Sequence, residues 1–104
     1  MVDIPSSDDE KKFAEALRQT ADRAQQEAKY PAPRFRQMIA DRGGFETARF
    51  LLSQKTPSEG FTNMHLAGRV DLTLECVVQK EQWRRFFTKE ELRHAASLTG
   101  STKC

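Results

Sequence analysis

The chain has 104 residues, room for one domain of ordinary size and too few for two well-cored ones. Apolar residues make up 38% and charged ones 31%; five Gly and four Pro exclude a collagen-like chain, and no apolar run nears the ~20 residues of a membrane span. The net charge of +2 does not by itself mark a nucleic-acid binder, but residues 1–28 carry −3 and residues 29–104 carry +5.

The first thirty residues are acidic and polar, so no secretory signal is expected there. Ser7 followed by Glu10 fits a capping box. From there Phe13, Leu17, Ala21, Ala24 and Ala28 recur at helical spacing, which predicts a helix over about 8–29. Its stripe is narrow and Ala-rich beyond Leu17, so its second half is expected to pack weakly. Tyr30-Pro31-Ala32-Pro33 ends it, because proline pushes the preceding residue out of the α region.

Pro33 suits the first position of a second helix, with Phe35, Met38 and Ile39 inward and Gly43 as its stop. A third follows Gly44, burying Phe45, Ala48, Leu51 and Leu52. Thr56-Pro57-Ser58-Glu59 reads as a capping box with proline at the first helical position. It opens a short fourth helix through Phe61, Met64 and Ala67, closed by Gly68.

Asp71 is expected to cap a fifth helix running through Leu74, Val77 and Val78. Alternation of Val70, Leu72 and Leu74 makes a strand the competing reading, but no partner strand is evident. Trp83, Phe86 and Phe87 form a short aromatic turn. Thr88-Lys89-Glu90-Glu91 is a further capping box before a last helix with Leu92, Ala95 and Ala96 inward, and Gly100 ends it. The expectation is one all-α domain over 1–104, a compact bundle of about six short to medium helices with a disordered tail at 100–104.

Chemistry is sparse. Cys76 and Cys104 form no Cys-x-x-Cys pair, and His65 and His94 complete no zinc-ligand spacing, so no metal or cofactor is expected. Free thiols and a cytoplasmic setting are the expectation. A catalytic site would have to gather His65, Asp71, Glu75 and His94, yet Asp71 is explained as a cap and Glu75 as a partner of Arg69. The helices around Gly43-Gly44 invite a DNA-reading helix-turn-helix, but the second offers base edges only Glu46, Thr47 and Arg49.

Two polar constellations stand out. Arg69, Asp71 and Glu75 form a cluster at a helix junction, expected to fix the interhelix angle. Arg34 and Arg36 flank Phe35, while Arg84 and Arg85 lie between Trp83 and Phe86. Such pairs could contact a partner or a nucleic acid, or could be the outer face of amphipathic segments. Ten of the seventeen basic residues are Arg, which suits bidentate pairing to carboxylate or phosphate. The acidic start against a basic remainder also suggests an acidic first helix lying on a basic body.

Arg34-Phe35, Met38-Ile39, Gly43-Gly44, Ala48, Leu51-Leu52, Pro57-Ser58, Gly60-Phe61, Gly68-Arg69, Asp71-Leu72-Thr73, Glu75, Val78, Trp83, Phe87-Thr88 and Glu91 form an ordered series. Over about residues 30–98 it resembles a widespread family of small uncharacterised bacterial proteins. Met64 and His65 depart from the aromatic and Leu expected after Gly60-Phe61. The resemblance implies a bacterial, cytoplasmic helical domain and carries over no activity or catalytic residue. The expected function is a non-enzymatic interaction module, a small adaptor or accessory subunit that docks on a protein partner or on itself. Its thinly apolar first helix motivates this. The alternative is a nucleic-acid-binding accessory protein, in a nuclease or defence complex, acting through its basic body.

Overall fold

A computed structural model describes residues 2–104 as seven α-helices and one 3-10 turn, with no strand among them. In chain order the helices are α1 (Ser7–Ala28), α2 (Pro33–Arg42), α3 (Gly44–Leu52), α4 (Glu59–Leu66), α5 (Leu74–Val78), α6 (Glu81–Arg84) and α7 (Lys89–Thr99). The 3-10 turn, Val70–Leu72, lies between α4 and α5. The all-α bundle expected from the sequence is what the chain forms. It measures 35 × 27 × 23 Å. The helix beyond the expected six is α6, four residues that hold Trp83 and lead into Phe86 and Phe87 of the expected aromatic turn.

Helix starts follow their caps, with two shifts and one replacement. Ser6, one residue before the expected position, caps α1 and closes a capping box with Asp9. Ser58 rather than Thr56 caps α4, so Pro57 precedes the helix instead of opening it. Asp71 caps nothing: its side chain is held by Arg69, and Thr73 caps α5 by accepting from the Cys76 N–H. Thr88 and Glu91 form the expected box at α7.

The expectation that the second half of α1 packs weakly does not hold. Phe13 and Leu17 are fully buried, and Ala21 and Ala24 are buried behind them. Small residues here permit closeness. A Cβ placed on Gly44 would sit 2.9 Å from the backbone of Ala14, so α3 approaches α1 to near backbone contact. The Glu10 carboxylate of α1 completes the joint by accepting from the N–H groups of Gly44 (2.7 Å) and Phe45 (3.2 Å), the orphan donors of α3. Gly43 adopts φ +85° between the two helices, a conformation that glycine tolerates without cost.

The main core is aromatic. Phe13 stacks on Phe45 with centroids 4.3 Å apart and meets Trp83 edge-on at 5.1 Å, while Phe45 meets Phe86 at 5.1 Å. A smaller cluster of Ala24, Met64 and Leu72 lies toward the other end of α1. The tail expected to fray from residue 100 instead folds back. Thr102 N–H donates to Thr99 O, and Cys104 forms a disulfide with Cys76 of α5, their Cα atoms 4.9 Å apart. The expected free thiols are thereby corrected: the return after α7 brings the last residue against a cysteine whose burial hid its partner.

Candidate functional site

Between the C-terminal half of α1, helices α2 and α4, and the start of α5 lies an open cavity of about 250 Å³. Alanines make the space: Ala24 from α1 and Ala32 from the α1–α2 connection reach in with single methyl groups. Phe35 and Met38 of α2, Leu51 of α3, and Phe61 and Met64 of α4 form apolar walls. Phe35, Met38 and Leu51 were expected in the core; they are half-buried, Phe35 and Leu51 packing against the edge of the main core while all three also border this cavity.

Glu75 contributes the cavity's deep polar group. Its side chain is only 2% exposed, yet it lines the space. Burial pushes its carboxyl above the ordinary carboxylate range, and its own backbone N–H supplies the one opposing effect. Glu75 was expected to pair with Arg69. The structure corrects this. Arg69 turns away and forms a fork to Asp71, Nε–Oδ1 and Nη2–Oδ2 both 3.0 Å, and its Nη2 also donates to Glu27 Oε1 of α1 at 2.8 Å. Glu27 in turn accepts from Arg23. These bonds raise the Arg69 pKa and lower those of Asp71 and Glu27.

The four other arginines singled out in the sequence do not form one patch. Arg34 is exposed at the cavity mouth, 3.7 Å from Glu59. Arg36 is bound to Asp22, Gln25 and the Pro31 carbonyl, which fastens α2 to α1. Arg85 stacks on Phe86 at 4.3 Å and pairs with Asp3 and Asp9. Only Arg84 makes no ion pair among the described residues, and it shares a shallow groove with Lys89 and Arg93. The acidic first helix thus meets basic groups of the body through Asp9, Asp22 and Glu27.

The helix-turn-helix alternative loses its reading surface. Thr47 is fully buried, and Arg49 donates to the Phe86 carbonyl at 2.7 Å. The catalytic quartet is likewise not assembled as a working unit. Asp71 is engaged by Arg69, His65 stacks on Phe61 with centroids 6.0 Å apart, and Glu75 faces the cavity.

A buried carboxyl with a raised pKa is also what general acid–base chemistry uses. Three of the cavity's four hydroxyls serve the backbone, and that of Tyr30 makes no hydrogen bond among the described residues. Thr20 donates to the Ala16 carbonyl, Ser58 caps α4, and Thr73 donates to the Val70 carbonyl while capping α5. The residues built around Glu75 can therefore hold an apolar group and contact it with one carboxyl. Sequence reasoning missed the cavity because the run of Ala in α1 looks like weak packing rather than space. Comparisons with protein-family models, curated proteins and solved structures gave no match.

Proposed function

We propose that this chain is a non-enzymatic binding module, a small accessory domain whose working site is the cavity between α1, α2, α4 and α5. One observation carries the proposal: Phe35, Met38 and Leu51, placed by their spacing to be core, line an open, mostly apolar space whose buried polar residues are Thr73 and Glu75. Preformed apolar concavities with few polar groups are the usual form of ligand sites. That the hydroxyls of Thr20, Ser58 and Thr73 already serve the backbone favours binding over catalysis. Docking on a protein partner stays within the proposal but no longer rests on α1, whose apolar face is covered within the chain.

Amide NMR during titration with ethylbenzene tests the reading. Resonances of Leu51, Phe61, Met64 and Glu75 should move together, with those near Trp83 still. No shift at the cavity at probe saturation would overturn the module.

Nucleic-acid binding is a second reading, supported by the groove of Arg84, Lys89 and Arg93. A gel shift at low salt that weakens as salt rises, and is lost in the Arg84→Ala/Arg93→Ala variant, would favour it over the cavity.

A bacterial, cytoplasmic home completes the proposal. The Cys76–Cys104 bond supplies its test, because thiol alkylation inside the host before lysis traps the native state of the pair. Two alkylated thiols fit a reducing cytoplasm, whereas a bonded pair points to an oxidising compartment.

A further inference from the structure

Glu75 is the most unusual group in the molecule. It is buried, it faces an apolar space, and no other described residue donates a hydrogen bond to its carboxyl. Buried carboxylates are normally paired, because desolvating the charge alone is costly. The partner expected from the sequence, Arg69, is committed to Asp71 and Glu27, and Arg34 at the mouth lies against Glu59. With that outer pair balanced, Glu75 is the uncompensated acid of the site. A ligand entering the cavity can supply the donor that no other described residue gives it.

The walls describe the rest of the ligand. Tyr30, Phe35 and Phe61 offer ring surfaces, which attract an organic cation as well as apolar groups. Met38 and Met64 adapt to irregular shapes. A dry cavity of ~150 Å³ accepts benzene, so about 250 Å³ holds one ring with a short chain.

We propose that the cavity binds a small organic ammonium, a single aromatic ring on a short aminoalkyl chain, with the ammonium donating to the Glu75 carboxylate. The proposal rests on the cavity being the working site. It extends that reading from an apolar socket to one that selects charge.

Calorimetric and NMR titrations at neutral pH with 2-phenylethylamine, 2-phenylethanol and ethylbenzene test it on the whole chain and on Glu75→Gln. The amine should bind the native chain at least about tenfold tighter than ethylbenzene, the scale of one charge-assisted hydrogen bond. Glu75→Gln should erase that preference, so that the variant binds the amine no tighter than ethylbenzene. Equal binding of the three probes, or a preference that survives Glu75→Gln, overturns the ammonium proposal while leaving the cavity reading intact. Failure of every probe overturns both. Nα-acetyl-lysine N-methylamide provides a further arm. Tighter binding of that compound than of 2-phenylethylamine assigns the ammonium to a partner protein's lysine and overturns the small-molecule source.

Discussion

The two halves of α1 solve the same problem in opposite ways. Its N-terminal half carries Phe13 and Leu17, and α3, α5, α6 and α7 close around them with Phe45, Trp83, Phe86 and Phe87. Its C-terminal half carries Ala21, Ala24 and Ala28; Ala24 packs with Met64 and Leu72, and beside that small cluster it borders the cavity. One end is filled by interlocking rings and the other is left open around Glu75. Stability is therefore concentrated where no ligand could enter, and the freedom to bind where the helix has only methyl groups to offer. A single helix serves as both core and cavity wall because its side-chain volume drops sharply along its length.

Truncating the closed end should have the largest effect. Phe13→Ala removes a fully buried ring in contact with Phe45, Trp83 and Phe87, and is expected to cost about 3–5 kcal/mol. Met64→Ala, at the open end, should cost about 2 kcal/mol, because Met64 already borders space and forgoes some dispersion contacts. Urea denaturation of both variants compares the halves directly. Equal losses would erase the distinction between them.

The covalent tie belongs to the closed half. Cys104 joins Cys76 across 28 residues, and Cys104→Ser should lower stability by about 3 kcal/mol through the greater freedom of the unfolded chain. Denaturation of the variant and the native chain under non-reducing conditions measures it. An unchanged midpoint would mean that the tail contributes nothing.

How much of this was legible in the sequence follows the same divide. Caps and periodicity are local signals, and Thr88 with Glu91, Gly43 and Gly100 mark boundaries that the chain uses. Phe45, Leu74, Trp83 and Phe87 were recognisable as core because large apolar residues have few alternatives. What escaped depends on three dimensions. Whether Ala24 marks weak packing or a cavity wall is decided by what faces it. Glu75 and Arg69 are close in sequence, but α1 supplied Glu27 as the better partner for the arginine. Glu10 capping α3 across 34 residues has no local signature at all. The tail's disulfide depends on a chain reversal after Gly100 that two isolated cysteines do not announce.

At the open half, pH should separate the acids. The Glu75 carboxyl is pushed above its ordinary value of 4.5, so the folded chain retains a proton that the unfolded chain releases. Stability attributable to Glu75 must then fall as pH rises from about 4.5 to its raised pKa, by up to about 1.4 kcal/mol per pH unit, and level off above it. Tyr30, Arg34 and Glu59 share the cavity, and Asp71 precedes it on the 3-10 turn. Asp71, lowered from 3.8 by Arg69, acts the other way: its contribution is lost only as pH falls through a value below that. Glu75→Gln should flatten the upper slope and leave the lower one. A chain whose stability rises steadily between pH 5 and pH 7, with Gln making no difference, would mean that Glu75 is hydrated or paired in solution.

The smallest expected effect concerns Arg69, where the sequence suggested a buried or half-buried hinge between helices. The guanidinium does bridge elements, joining Asp71 of the 3-10 turn to Glu27 of α1, but its side chain is 31% exposed. Water and salt screen such pairs, and no buried carboxylate is stranded when it is removed, because Glu75 is not its partner. Arg69→Ala should therefore lower Tm by only a few degrees, on the order of 2–4 °C for a domain of this size. Raising salt should shrink the difference between the two proteins. Arg69→Lys should recover part of it, since one ammonium can reach Asp71 or Glu27 but cannot reproduce the fork to one and the bridge to the other. The position still bears on the open half, because this bridge holds the 3-10 turn that leads into Thr73 and Glu75. Amide shifts of Arg69→Ala should spread to Thr73 and Glu75 and spare Phe45 and Phe86. A collapse of the whole fold, seen as Tm loss matching that of Phe13→Ala, would restore the buried-hinge role and place the two ends of the molecule in one cooperative core.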